Sequence, residues 1–311
     1  MGLMRTLGAL IVAMRPRQWL KNASLFAAVA FGGELLEAVV FYQVVEAFFA
    51  FSLLCSSCYI FNDIIDRERD RRHPLKKERP IAKGTLPIPA AALFSLALAG
   101  GSLIWLASRF NKSFFAITVI FFALELFYSI YLRNVIILDA MAVAMAFVLR
   151  VYAGAFILPT PISSWLVLAT IGLALLLAFG KRRSERTLLS ASHQKFLTRE
   201  TLRHYPDTLL DSAIAMAAAF TAISYGVFSF QTSPTTPSAQ VSALIPPTLA
   251  TPKWMMTTIP IVIYGVLRYL FVIYEKKEGE SPERVLLSDL PLLGAVMLWV
   301  AFVLVITYCL T

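Results

Sequence analysis

Long apolar runs, broken only by short charged segments, dominate this chain from residue 20 to its end. Each run approaches the roughly 20 residues that carry an α-helix across the hydrocarbon of a bilayer. Inside lipid every backbone amide and carbonyl needs an internal partner, so such runs form helices. They are continuous rather than alternating, which argues against an outer-membrane barrel. A soluble fold could not conceal them either, because 58% of the 311 residues are hydrophobic and only 15% are charged. Candidate spans lie near 20–36, 42–62, 89–108, 113–131, 135–157, 164–181, 208–230, 255–274 and 290–310. The expected fold is all-α: a polytopic membrane protein of nine transmembrane helices forming one domain over residues 1–311. The first span is the least regular, since Gly32, Gly33 and Glu34 interrupt it.

Charge orients these spans. The formal net charge is +9, which in a soluble chain would suggest nucleic acid. Here the basic residues collect between spans, so no nucleic-acid partner is expected and the charge reads as topology and as binding of anionic lipid or phosphate. Arg5, Arg15, Arg17 and Lys21 precede or open the first span, and eight Lys or Arg lie between residues 62 and 88. Seven more run from Lys181 to Arg203, whereas the opposite face offers only Arg109, Lys112 and Lys253. The positive-inside rule places the N-terminus in the cytoplasm and the C-terminus outside, in the inner (plasma) membrane. No small-residue cleavage site follows the first basic residues, so an uncleaved first span is expected. Cys55 and Cys58 form a C-x-x-C inside an apolar run without further ligands and read as buried packing residues. Self-association into a homo-oligomer is left open.

The polar chemistry gathers on the basic face. Asn62-Asp63-Ile64-Ile65-Asp66-Arg67-Glu68-Arg69-Asp70 closes the second span, and a helix there would stack Asp63, Asp66 and Asp70 on one face. Three such carboxylates repel one another unless a cation lies between them. Hard oxygen donors suit Mg²⁺ bridging to substrate phosphates, and the neighbouring arginines suit phosphate oxygens. A second acidic pair, Asp207 and Asp211, opens the seventh span; Asp207 could be a helix cap, while Asp211 lies a turn inside. Tyr128 and Arg133 close the fourth span, Asp139 opens the fifth, and Lys181-Arg182-Arg183-Ser184-Glu185 follows the sixth. Arg150 lies deeper, either as structural glue or against substrate, and Arg268 is embedded without an evident partner. Tyr205-Pro206 and Arg79-Pro80 mark local breaks shaping loops over the site. His73, His193 and His204 lack metal-ligand spacing, and no phosphate-binding glycine loop or serine elbow is present.

With these residues in view, the chain resembles a known family. Asn62-Asp63-x-x-Asp66-x-x-x-Asp70 is similar to the first aspartate-rich motif of the membrane prenyltransferases that make ubiquinone and menaquinone precursors. Within that superfamily it more closely resembles the decaprenyl-phosphate phosphoribosyltransferase branch of actinobacteria. The resembling stretches are RPRQWLKN (15–22), NDIIDRERDRRHPLKKERPIAKG (62–84), YSIYLRNVIILD (128–139), FVLRVYAGA (147–155), KRRSE (181–185) and SPERVLLSDLPL (281–292). The resemblance implies helices around a lipid-open cavity with a cytoplasmic polar cap. It also implies Mg²⁺-dependent transfer of phosphoribosyl from 5-phosphoribosyl 1-diphosphate to decaprenyl (polyprenyl) phosphate, for arabinan precursor synthesis. Two departures stand out: Arg133 where that branch carries Lys, and Ser184 where it carries Ala.

On this reading Asp63, Asp66 and Asp70 are the catalytic and metal-holding residues. Substrate contacts are expected from Lys21, Asn62, Arg67, Lys77, Arg79, Tyr128, Arg133, Asp139, Arg150, Lys181, Arg182, Arg183, Glu185, Tyr205, Asp207 and Asp211. The prenyl tail would lie against apolar walls among the membrane lipids. The competing reading is a prenyltransferase that expels diphosphate from a prenyl diphosphate and joins the allylic carbon to an aromatic acceptor. A transporter would place its charges nearer mid-membrane and show paired repeats.

Overall fold

The computed structural model describes residues 2–73, 76–158, 161–191, 205–233, 253–276 and 282–309. The expectations that fall on 192–204 and 234–252, with His193 and His204, lie outside the described residues. The helices are α1 (Gly2–Met14), α2 (Phe26–Phe31), α3 (Ala38–Ile65), α4 (Arg67–Arg72), α5 (Pro80–Lys83), α6 (Ile88–Arg109) and α7 (Lys112–Ile130). They continue as α8 (Leu138–Ile157), α9 (Ser164–Ala191), α10 (Asp207–Thr232), α11 (Ile259–Phe271), α12 (Pro282–Ser288) and α13 (Leu290–Cys309). Among the described residues, eight helical stretches are long and apolar enough to cross a membrane. They are α3, α6, α7, α8, the first 24 residues of α9, α10, residues 254–275 around α11, and α13.

Local chemistry sets these boundaries. Asn111 caps α7 by accepting from the Phe114 N–H. Pro80 opens α5, and Gly84, at φ 84°, ends it in the left-handed conformation that glycine adopts freely. α9 runs beyond its expected end at 181, so Lys181–Glu185 lies on helix rather than loop.

The expected first span, 20–36, is the main departure. Residues Pro16–Leu25 form a 3-10 helix and only Phe26–Phe31 are α-helical, ending at the Gly32-Gly33 turn, where φ of Gly33 is 79°. A 3-10 helix rises ~2.0 Å per residue and an α-helix ~1.5 Å, so these sixteen residues extend about 29 Å. That is close to the ~30 Å of bilayer hydrocarbon. Arg15 touches Asp63 at one end of α3, and the Leu35 N–H donates to the Tyr308 hydroxyl (2.8 Å) at the other. The segment thus runs the length of the bundle in a stretched form. Gly154 on α8 permits it: a Cβ there would collide with the Leu25 carbonyl.

Two apolar cores meet along α8. Phe51, Leu54, Phe114, Phe121 and Leu149 fill one, between α3, α7 and α8. Leu176, Leu210, Ile214 and Val272 fill the other, between α9, α10 and the π-helical turn Val272–Lys276 that follows α11. Large apolar side chains such as Leu93, Leu96, Ile104 and Met297 point outward, as expected of faces that meet lipid.

Candidate active site

The cap forms where α3 ends. The helix stops at Ile65, and Asp66 occupies a bend (φ −86°, ψ 2°) before α4. The sequence predicts one continuous helix stacking Asp63, Asp66 and Asp70. At this bend Asp63 and Asp70 share one arginine, while Asp66 is held by others. Arg79 Nη1 donates to Asp63 Oδ1 (3.0 Å) and to Asp70 Oδ2 (2.6 Å), while Asp66 Oδ2 takes Arg133 Nη1 (2.6 Å). The same Arg133 nitrogen donates to Asn62 Oδ1 (2.8 Å), and Arg69 approaches Asp66 Oδ1 at 3.4 Å. All three aspartates are buried, at 2%, 6% and 3% exposure. Each buried carboxylate costs several kcal/mol to desolvate, so the arginines are the condition for holding them charged.

A further arginine was missed from sequence. Arg15, between α1 and the 3-10 segment, forms an ion pair with Asp63 Oδ1 and lies 5.5 Å from the centre of the Tyr59 ring. Its only signal was its place in the RPRQWLKN stretch. Besides Arg69 of α4, the cap therefore draws arginines from three separate places: the start of the 3-10 segment, the turn before α5, and the α7–α8 turn.

The cap fits a divalent cation by its donor chemistry. Asp63 Oδ2 is buried with no hydrogen-bond partner, a spare hard-oxygen acceptor among carboxylates. Among the described residues no three His, Cys, Asp or Glu side chains converge closely enough to hold a metal by themselves. Guanidinium groups stand between the carboxylates instead.

A second network lies beside the first. Arg182 Nε donates to Asp139 Oδ2 (2.6 Å), its Nη1 to Glu185 (2.7 Å) and its Nη2 to the Tyr128 hydroxyl (3.3 Å). Tyr205, fully buried, donates to Asp139 Oδ1 (2.5 Å) and accepts the Ile137 N–H (2.7 Å). Burial first, then Asp139, holds the Tyr205 phenol well above its usual range. Ile137 itself takes a positive φ of 69°, held in the turn by that bond. Tyr128, Asp139, Arg182, Glu185 and Tyr205 are thus brought together, with their polar atoms largely turned toward one another. Lys181, one turn before Glu185 on α9, is close enough to Glu185, Lys21 and Lys76 to feel their charges. His73 joins the cap as a neutral acceptor for the Lys76 N–H (3.3 Å), since burial and then Lys76 lower its pKa.

Asp207 and Asp211 are held by α9. Arg183 Nε donates to Asp211 Oδ1 (2.8 Å), and Arg186 Nε to Asp207 Oδ1 (2.5 Å). Tyr274 adds a bond to Asp211 at 2.9 Å. Asp207 is not a cap: Pro206 is the N-cap, and Asp207 lies in the first turn, where the helix dipole favours it. Arg186 and Tyr274 were not expected here; spacing Arg183 and Arg186 three apart, opposite a carboxylate pair four apart, is the signal that could have found them.

Other expected residues lie elsewhere. Arg150 donates to Asn22 Oδ1 (2.9 Å), faces Glu125 at 3.6 Å and stacks over Phe121, so its partners are structural. Cys55 is a free, buried thiol in the same network, and Cys58 is buried and free. Arg268 has a partner after all, a two-pronged pair with Asp289 at 2.9 Å on each prong. Lys77 is exposed, and Arg67 pairs along the surface with Glu68 (3.4 Å). Neither is gathered into the buried cap.

Long apolar helices with a buried carboxylate–arginine cluster at one end define a multi-pass membrane protein. The chain belongs to the UbiA prenyltransferase family, which it matches over residues 22–288, and it is a membrane transferase. It is 32% identical to decaprenyl-phosphate phosphoribosyltransferase of Mycolicibacterium smegmatis over 94% of this chain and 90% of that protein. It is 30% identical to the protein of the same name from Mycobacterium tuberculosis, over 94% and 92%. The fold is similar to that of a UbiA homolog from Archaeoglobus fulgidus bound to GPP and Mg²⁺. There the TM-score is 0.68 at 21% identity, covering 96% of this chain and 99% of that one.

Proposed function

We propose that the protein transfers the 5-phosphoribosyl group from 5-phosphoribosyl 1-diphosphate to decaprenyl (polyprenyl) phosphate, releasing diphosphate, in arabinan precursor synthesis. The observation that carries this reading is the near-full-length likeness to two relatives that bear the name of that activity. The cap geometry agrees with it. Asp63, Asp66 and Asp70 would hold Mg²⁺, which when bound supplies positive charge for the departing diphosphate. Arg15, Arg79 and Arg133 sit within bonding distance of those carboxylates and can turn to phosphate oxygens.

The bond between the anomeric carbon and the diphosphate oxygen breaks, and its electron pair leaves with diphosphate. An oxygen of the lipid phosphate forms the new bond from the opposite face. That oxygen is already anionic, so no side chain need remove a proton. The work of this chain is positioning and electrostatics. Lys181 lies near enough to Lys21 for their charges to interact, and the two would steady a second phosphate. Asp207 and Asp211 would orient the sugar by releasing Arg183 and Arg186. The basic loops argue for a cap on the cytoplasmic face, N-terminus inside and C-terminus outside, in the cell membrane.

The test uses purified protein in lipid with Mg²⁺, polyprenyl phosphate and radiolabelled 5-phosphoribosyl 1-diphosphate. Label should move into the lipid phase with metal and not without it, and Asp66→Ala should abolish the transfer. Label moving only from a prenyl diphosphate into an aromatic acceptor would overturn the reading and install the prenyltransferase in its place.

A further inference from the structure

Arg15 is the least expected contact of the cap and the most elaborately held. It is one of two non-glycine residues with positive φ among the described residues (φ 53°, ψ 60°). Such a conformation persists only where the surroundings enforce it. Ser56 on α3 holds it from both sides: its hydroxyl accepts from Trp19 Nε1 (3.0 Å), and its one proton is shared between the Ser52 (2.8 Å) and Met14 (3.0 Å) carbonyls. Ala9 and Ala13 of α1 are packed with Ile60, Ile81 and Leu86, the apolar residues that flank the cap. The backbone is thus clamped so that the guanidinium reaches Asp63, while about a fifth of the side chain stays exposed.

The carboxylate of Asp63 is loaded unevenly. Oδ1 takes both Arg15 and Arg79, whereas Oδ2 is buried with no partner. A divalent cation approaching Oδ2 alone meets two guanidinium charges on the other oxygen of the same group. A cation that arrives with a diphosphate brings those guanidiniums a new anion.

We propose that Arg15 is a binding residue for the donor's diphosphate which, before the donor arrives, holds Asp63 and opposes entry of the cation alone. Cation and diphosphate then enter as one complex, and uncommitted metal is kept off the carboxylates. This rests on the reading that Asp63 belongs to the cation site. It assigns Arg15 two partners, one in each state, where a purely structural arginine would have one.

The experiment is a Mn²⁺ titration read by the EPR signal of the free ion, with protein in lipid nanodiscs and neither substrate present, repeated with the preformed Mn²⁺–pyrophosphate complex. Wild-type protein should bind the complex at least about tenfold more tightly than Mn²⁺ alone, a coupling in the ordinary range for two linked ligands. Equal affinities in wild type overturn the proposal without recourse to any variant. Arg15→Gln should bind Mn²⁺ alone roughly five- to tenfold more tightly and the complex more weakly. Arg15→Lys, which keeps the charge, should stay within about twofold of wild type for Mn²⁺ alone. Weaker binding of both probes by Arg15→Gln marks a structural role and overturns the proposal. Mn²⁺ binding untouched by Asp66→Ala would overturn the site and this inference together. No transfer reaction enters the titration, so a wrong donor class would show in the radiolabel assay and not here.

Discussion

Asp63 and Asp70 share one arginine nitrogen inside the protein, whereas near its edge Asp211 meets Arg183 and Asp207 meets Arg186, with Arg183 Nη1 reaching Asp207 only at 3.7 Å. In sequence the two clusters look alike, with carboxylates one or two turns apart where a polar loop meets an apolar run. In space they differ in burial and in the origin of their partners. The first pair is nearly sealed, and its arginines come from chain segments far apart; the side chains of Asp207 and Asp211 are 49% and 42% exposed, and their arginines come from the single neighbouring helix α9. A sealed carboxylate cannot exchange its cationic partner without a replacement charge, because the bare group would be desolvated. An exposed one can let water take over at small cost. Under the proposed function, binding of metal and diphosphate at the first cluster would have to be coupled to side-chain motion, and the second would serve as an adjustable flank.

The largest expected effect tests that division directly. Asp66→Ala removes a buried carboxylate that Arg133 and Arg69 both face, and should lower transfer about 10³-fold or more, the scale of losing a main electrostatic contact at a reacting centre. Removing Mg²⁺ with a chelator should match it. Initial rates of label transfer check both. A loss under tenfold would place the chemistry outside this cluster.

Next comes a change in stability rather than rate. Arg182→Met strips Asp139 of its buried cation and leaves only Tyr205 on the carboxylate. Breaking such a pair from one side costs about 3–5 kcal/mol. Thermal unfolding in detergent should show a large drop in midpoint, and Asp139→Asn with Arg182→Met should recover part of it, because no charge is then left alone. An unchanged midpoint in the single variant would show that this network is wet and belongs functionally with Asp207 and Asp211.

These contrasts explain what could be read from the sequence. Hydropathy located eight spans within a few residues, because bilayer thickness and backbone hydrogen bonding leave an apolar run few options. The aspartates were legible because carboxylates at the end of an apolar helix are costly without a task. Their partners were not. Arg15 and Asp63 are 48 residues apart, and Arg150 and Asn22 are 128 apart; neither pairing follows from local spacing. The irregular first segment, expected as a span, was half legible: Gly32 and Gly33 signalled a break, but the 3-10 winding depends on Gly154, a whole helix away, allowing the Leu25 carbonyl to come close. The bend at Asp66 escaped for the opposite reason, since nothing in Ile65-Asp66-Arg67 forbids a continuous helix.

A smaller effect follows from exposure at the second cluster. Asp211→Asn keeps an acceptor for Arg183 and Tyr274 and loses only a screened charge, which is worth about 1 kcal/mol or less between exposed groups. Stability should hardly change, and transfer should fall no more than about tenfold. A loss as deep as that of Asp66→Ala would erase the distinction between the clusters and make Asp211 a second metal holder.

The smallest effect concerns Arg133, where the resembling branch carries Lys. Exchanging a planar guanidinium for an ammonium matters when two or more of its nitrogens are used in a fork. The bonds to Asn62 Oδ1 and Asp66 Oδ2 both come from Nη1. An ammonium with three donors can make the same two bonds, with a slightly shorter reach. Arg133→Lys should therefore keep the midpoint within a few degrees and transfer within about threefold, a difference of roughly 0.6 kcal/mol. Arg133→Ala, by contrast, leaves Asp66 buried with the Asn62 amide and the more distant Arg69 as its one remaining cation, and should cost about 3–5 kcal/mol of stability. If Arg133→Lys were as damaging as Arg133→Ala, the guanidinium fork would have to grip something other than Asp66 during the reaction. A phosphate oxygen is the ligand whose geometry such a fork would match, and the first cluster would then hold its substrate through arginine planes as much as through metal.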